Sequence, residues 1–209
     1  MTERSHQPGK QEAKRLRTRD AVLRAATACL VEQGYADTTI ARVAERAGVS
    51  KGALQHHFPS KEELTTAVAD RLLQRSIERF PPKDPALPRE HDGVAVDLMM
   101  IWTSLIDTDA YRALLEILVA ARTDARLQAR ISPTLHGWNV AIDRAMSDRY
   151  EAVAGAEGEV ELLMLMSRSL MRGLLIQERY TDDAGQMRVV IKRWVALVAP
   201  LLRSRAHPQ

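Results

Sequence analysis

Apolar residues recur every three or four positions through most of the chain, and no useful length shows the two-residue alternation of a strand. The pattern predicts an all-α protein. A first helix is expected from about Thr18 to Gln33, where Val22, Ala25, Ala26, Cys29 and Leu30 form one stripe and Gly34 ends it. A helix of barely two turns follows, with Thr39 as N-cap, Ile40, Val43, Ala44 and Ala47 on its apolar face, and Gly48 as its stop. Ser50 then caps a second short helix, Lys51 to His57, anchored by Leu54 and Phe58. Two short amphipathic helices joined by Ala47-Gly48-Val49-Ser50 have the form of a helix-turn-helix. Ser60 with Glu63 reads as a capping box for a fourth helix that carries Leu64, Val68 and Leu72 and extends to Phe80.

Pro81, Pro82, Pro85 and Pro88 break helical structure and make residues 81–91 the clear boundary. Beyond it helices are expected near Gly93–Ile106, Asp109–Ala121, Asp124–Tyr150, Glu157–Tyr180 and Asp183–Ser204, with Pro133 kinking the third or splitting it after Ile131. The last two are apolar around much of their circumference, from Val160 to Ile176 and from Val189 to Leu202. Such a helix can bury one face in its own core and the other against a partner, so a homodimer is expected, with Leu174, Trp194, Val198 and Leu201 as interface candidates. An internal core helix would show the same pattern.

Composition narrows the function. Among 209 residues there is a single cysteine, which excludes an intrachain disulfide and multi-cysteine zinc sites; Cys29 lies in an apolar stripe, as a structural thiol does. The N-terminus lacks the apolar stretch of a signal peptide, and no run approaches a membrane span, so a cytoplasmic, nucleoid-associated protein is expected with no membrane partner. The net charge of +3 is unevenly spread: residues 1–72 hold twelve Lys and Arg against nine Asp and Glu, and the remainder is balanced. A polyanion would meet the N-terminal part. Neither a Ser-His-Asp signature, a glycine-rich phosphate loop nor metal-ligand spacing appears, so no catalytic residue, cofactor or metal is expected. His56 and His57 are adjacent on a helix, diverge by about 100°, and cannot chelate one ion together.

For a helix to enter the major groove its outward residues must be short or polar. Lys51, Gly52, Ala53, Gln55 and His56 meet that requirement while Leu54 and Phe58 point inward. Lys51 can donate to a guanine edge, Gln55 can pair with adenine, and Ala53 can meet a thymine methyl. His57, Lys61 and the helix ends capped by Thr39 and Ser50 suit phosphates, and a basic arm from Lys10 to Arg19 can follow the backbone or the minor groove. A solvated helix in an ordinary bundle would look the same locally.

The stretch Ala25–Leu64 closely resembles the N-terminal domain of the tetracycline-repressor (TetR) family of bacterial regulators. Gly34-Tyr35, Thr38-Thr39, Ile40, Ala44, Ala47-Gly48-Val49-Ser50, Gly52, Leu54, His57-Phe58, Lys61 and Leu64 fall in register with its motif. The resemblance implies an N-terminal three-helix helix-turn-helix domain (residues 18–64) preceded by a basic flexible arm (1–17). A linking helix (65–80) and a C-terminal helical ligand-binding and dimerisation bundle (92–205) would follow. It assigns base reading to Lys51, Gly52, Ala53, Gln55 and His56, and phosphate contacts to Thr39, Ser50, His57 and Lys61. Gln55 departs from the family, many of whose members carry there a tyrosine that packs on the phosphate backbone.

The implied function is a dimeric repressor of a near-palindromic double-stranded operator, released by a small, partly apolar effector. The effector would act on the spacing of the reading helices through the fourth helix. Met99, Trp102, Trp138, Asn139 and Met166 are the candidate pocket residues, because Met and Trp suit an adaptable apolar cavity as well as they suit a core. Asp107, Arg122, His136 and Arg168 are further polar candidates. Two alternatives stand beside this reading: a regulator with no small-molecule effector, controlled by a protein partner or by its abundance, and a helical enzyme with a scattered site.

Overall fold

The computed structural model describes residues 9–79, 93–153, 158–180 and 184–205. The segment 81–91, expected as the boundary, lies outside the described residues, as do residues 1–8 of the expected arm. The helices are α1 (Lys10–Asp37), α2 (Ile40–Ala47), α3 (Lys51–His57), α4 (Lys61–Arg79), α5 (Gly93–Ile101), α6 (Asp109–Ala121), α7 (Ala125–Arg149), α8 (Glu159–Gln177) and α9 (Ala184–Val198). None of them is long and apolar enough to cross a membrane. The chain divides into two compact units, residues 1–70 with 116–131 and residues 71–115 with 132–209.

In the first unit the expected stripes become the core. Val22, Ala26, Cys29 and Leu30 of α1, Val43 of α2, Leu54 of α3, and Leu64 and Val68 of α4 are each at most 1% exposed. Ile117 of α6 and Leu127 of α7 are likewise fully buried. The caps act as the sequence requires. The Thr39 hydroxyl accepts from the Arg42 amide at 3.3 Å, and the Ser50 hydroxyl accepts from the Ala53 amide at 3.1 Å. Gly48 closes α2 at φ 67°, donating to the carbonyls of Ala44 and Glu45 in a conformation that a side chain would strain. The capping box is only half formed. Ser60 accepts from the Glu63 amide, but it is the Glu62 carboxylate that bonds Ser60, and that carboxyl is held below its ordinary range by its own backbone amide and then by Ser60.

One boundary differs from expectation. Helix α1 begins at Lys10 rather than Thr18, because Lys, Glu, Ala and Arg between them form helix without an apolar stripe to announce it. Residues 10–17 are therefore the first turns of a 28-residue helix and not a flexible arm. Gly34 (φ 76°, ψ 176°) is non-helical and interrupts α1 where the sequence places the end of the first helix; a short helical segment follows to Asp37.

In the second unit a π-helical stretch, Trp102–Ile106, continues α5, with the Asp107 amide reaching the Trp102 carbonyl at 2.8 Å. Helix α7 runs through Pro133 without the expected split. The carbonyl that the proline leaves without a donor belongs to Ala129, whose residue is exposed to water. The C-terminus is not wholly helical. After α9 and a turn of 3-10 helix, β2 (Leu202–Ser204) pairs antiparallel with β1 (Tyr150–Ala152), in the register Tyr150 to Ser204. Pro200 lacks the amide that would carry α9 onward.

Beneath this ladder the Tyr150 hydroxyl donates to the buried Asp97 carboxylate, which Arg149 also holds at 2.8 Å. Burial, and then the neighbouring carboxylate, pushes the Tyr150 phenol far above its ordinary range, so it remains a donor. Replacing Asp97 with Ala leaves the buried Tyr150 hydroxyl without this acceptor and takes a carboxylate from Arg149, and thermal or denaturant unfolding should show a loss of about 2–4 kcal/mol. An unchanged stability would mean that water replaces the carboxylate at no cost.

Candidate nucleic-acid interface and a buried cavity

Helix α3 buries Leu54 and exposes Lys51, Gly52, Ala53, Gln55 and His56, so the face expected for base edges is free. His57 is half-buried, its ring edge-on to His56 at 5.8 Å and next to Phe58. The first turns of α1 run past this helix. Gly9, Gln11, Glu12, Lys14, Arg15 and Thr18 line an open groove of about 740 Å³ together with Ala53, His56 and His57. Arg19 lies over the Phe58 ring at 5.4 Å. Lys14 and Arg15, expected on a flexible arm, thus lie on α1 beside the candidate reading helix. Each of Lys14 and Arg15, if it meets a phosphate, contributes roughly 0.9 to the logarithmic salt slope on duplex DNA. Lys14→Gln with Arg15→Gln should reduce that slope by about 2 per bound subunit in titrations at several salt concentrations; an unreduced slope would take both side chains off the DNA.

Other cations of this unit are engaged internally. Arg46 grips Glu32 of α1 through two bonds of 2.5 and 2.6 Å, and Arg42 bonds Gln33 and the Asp37 carbonyl. Lys61, expected on phosphate, lies over the Tyr35 ring at 4.2 Å and donates to the carbonyls of Tyr35 and Ala36 at 2.6 and 3.1 Å. It serves the carbonyl end of α1, where a cation is favoured, and has one proton left for any phosphate. Burial lowers its pKa. Gly34 sits beside the same turn, where a side chain would meet the Glu116 carboxylate at 3.2 Å while strained by its positive φ.

Burial, then the charges of His56, Arg15 and Arg19, lowers the His57 pKa from its ordinary 6.5. The folded chain therefore binds a proton here less readily than the unfolded chain, and this group's contribution to stability is complete above pH 6.5 and declines below it. A phosphate nearby acts in the opposite sense, favouring the imidazolium. Affinity for duplex DNA should rise as pH is lowered from about 7.5 to about 6 at constant ionic strength. His57→Gln should make that rise shallower; an identical pH profile would place His57 away from phosphate.

The second unit holds a nearly closed cavity of about 20 Å³. Leu98, Leu105 and Ile106 of α5 and its π-helical extension, Trp138 and Ile142 of α7, and Met164, Arg168 and Met171 of α8 line it. Of the five pocket residues expected from the sequence, Trp138 alone reaches this wall. Trp102 is 3% exposed in the core, while Met99 and Asn139 lie outside the lining. Met166 is 45% exposed, because Met164 and Met171 are seven apart and share a face that Met166 does not. Arg168, a candidate polar residue, belongs to the wall; Asp107, Arg122 and His136 are exposed. Trp138 also donates its indole N–H to Ser76 at 2.5 Å.

The interface candidates divide likewise. Val198 is 2% exposed and belongs to the core of its own chain, where the 3.6-residue period aligns it with Ile191 and Val195. Trp194 donates to Ser167 at 2.9 Å and packs α9 on α8. Leu174 is half-buried and Leu201 exposed. Besides Leu201, the outward apolar residues of this region include Leu162, Leu165, Met166 and Ile176 of α8, with Val189 and Leu197 of α9. Among the described residues no group of three His, Cys, Asp or Glu is arranged to hold a metal ion.

A sequence model of bacterial regulatory proteins of the tetR family matches residues 22–68, which include α2 and α3 but not the first turns of α1. An uncharacterised HTH-type transcriptional regulator of Mycobacterium tuberculosis is 29% identical over 183 residues, covering 83% of this chain and 91% of that one. The class A tetracycline repressor from transposon 1721 of Escherichia coli is 29% identical over 185 residues, covering 88% of this chain and 77% of that one. The structure of Salmonella enterica GusR shares the fold at TM-score 0.65 and 22% identity, covering 89% of this chain and 95% of that one.

Proposed function

Because the chain belongs to the TetR family of bacterial regulatory proteins and is a DNA-binding transcriptional regulator rather than an enzyme, we propose that it is a cytoplasmic homodimeric repressor of a two-fold symmetric operator. One copy of α3 would enter the major groove of each half-site. The carrying observation is the free face Lys51, Gly52, Ala53, Gln55 and His56 beside the basic start of α1. In this reading Thr39 and Ser50, whose caps leave their hydroxyl protons available, and His57 meet phosphates, while Lys61 acts chiefly by holding the end of α1. Selection of operators from a random duplex library tests it. A symmetric consensus with half-sites about one helical turn apart supports the proposal, and binding without sequence preference overturns it.

Regulators of this family bind small molecules as well as operators, and the relative of E. coli is a tetracycline repressor by name. We extend that to this chain: an effector would enter the cavity walled by α5, α7 and α8. Helix α4 contributes residues to both units and would carry the response along the chain. A second reading, control by a protein partner or by abundance, is favoured by the cavity's present volume of about 20 Å³. That space suits about one water, against several hundred Å³ for an ordinary ligand site.

A further inference from the structure

We propose that a second recess of this unit, between α4, the π-helical stretch and α6, binds a small organic carboxylate. The site stands apart from the proposed effector cavity, with which it shares only Leu105 of its lining. The recess measures about 90 Å³, is partly open to water, and presents polar as well as apolar surface. Leu72, Leu105, Ala110 and Leu114 supply its apolar side. Of its polar residues, Ser76 and Thr108 are already spent. The Ser76 hydroxyl donates to the Leu73 carbonyl at 2.6 Å and accepts from Trp138. The Thr108 hydroxyl donates to the Leu105 carbonyl at 2.9 Å and accepts from the Tyr111 amide. Arg75, Ser104 and Tyr111 remain.

These three offer donors and no negative charge. Arg75 and Ser104 are exposed, and neither side chain has a hydrogen-bond or ion-pair partner among the described residues. Tyr111 is 4% exposed; its oxygen accepts from the Arg172 Nε–H at 2.8 Å, and its own proton meets no acceptor among the described residues. The Arg172 Nη2 is buried without a partner, and no described carboxylate pairs with that guanidinium. Asp107 and Asp109, which flank Thr108 in the chain, pair instead with Arg112, and neither lines the recess. One guanidinium at the wall, and a second one hydrogen bond behind a lining residue, therefore stand without a counter-ion. A carboxylate answers both. Its two oxygens match the fork of Arg75, and a Tyr111 proton polarised by Arg172 is the stronger donor to it. A ketone would accept but leave the charge uncompensated, an ammonium would be repelled, and a purely apolar body would meet no donor. An apolar cavity of roughly 150 Å³ admits benzene, so the smaller, partly open recess suits a body of about four carbons laid against its leucines.

Titration of the full-length protein with 3-methylbutanoate, 4-methylpentan-2-one and 3-methylbutylammonium, followed by ligand-observed NMR, isolates the head group, because all three carry the same isobutyl body. The carboxylate should bind at least about tenfold tighter than the ketone, and the ammonium weakest. Arg75→Gln, at an exposed position, should bring carboxylate and ketone to within about threefold of each other. Ala110→Leu fills the recess and should weaken both by at least about tenfold. Should that variant melt early, Ser104→Leu narrows the same space from an exposed position and should weaken both likewise. A ketone that binds as tightly as the carboxylate, an ammonium that binds tightest, or a preference that survives Arg75→Gln overturns the chemistry assigned here. Binding that survives both filling variants, or uptake of none of the three, overturns the site. Operator affinity enters none of these readouts, so the repressor reading stands or falls separately.

Discussion

Leu165→Glu with Leu197→Glu is expected to yield folded monomers whose operator affinity is lower by about 100- to 10,000-fold, the gain that linking two binding modules brings. Both side chains are large, apolar and about half exposed, at 52% and 56%. They belong to the outward rows of α8 and α9 that the core leaves uncovered. Contiguous apolar rows on a soluble domain mark surfaces that meet a partner. In a dimer an introduced carboxylate faces its own symmetry copy and is desolvated without a counter-ion. Sedimentation at several concentrations measures the oligomer, and circular dichroism confirms that the helices persist. A dimer of unchanged affinity would remove these rows from the interface. Val198 makes the complementary control: at 2% exposure, Val198→Ala should lower stability by about 1–3 kcal/mol and leave the dimer intact.

The helix-turn-helix was legible in the sequence because each of its parts has a local signal. The stripe of Val22 to Leu30, the Thr39 and Ser50 caps, Gly48 with its positive φ and the buried Leu54 all follow from residues within one turn of one another. What escaped depends on partners distant in the chain. Lys61 looks like a free surface cation until the carbonyls of Tyr35 and Ala36 are brought to it. Strands of three residues are too short to show a period, so the sequence reads Leu202–Ser204 as the end of a helix and leaves Glu151 and Ala152 between helices. Residue type does not tell which methionines line the cavity of the second unit: the 3.6-residue period puts Met164 and Met171 on its wall and Met166 outside. The early start of α1 had no stripe to report it, since polar residues of high propensity form helix without amphipathicity.

Substitutions on α3 are expected to separate base reading from backbone contact. Lys51→Ala should cost about 1–3 kcal/mol, concentrated at one symmetric position of each half-site, because a lysine on a guanine edge carries sequence information that a phosphate contact does not. Ala53→Leu should clash at the groove it lines with His56 and His57 and shift preference at an adjoining position. Gln55→Ala should lower affinity for all sequences alike. Gln55 is exposed on α3, outside the groove shared with α1, and it occupies the position that the family resemblance gives to a residue on phosphate. Glutamine retains a donor for that contact but lacks a ring to pack there. Binding of each purified variant to an operator library with every position varied measures both affinity and preference. A Gln55→Ala loss confined to one base pair per half-site would move this residue from backbone to base, where an amide pairs with adenine. Wild-type affinity and preference in all three variants would take α3 out of the major groove, since no outward side chain of a reading helix can be changed along its length without effect on what it reads.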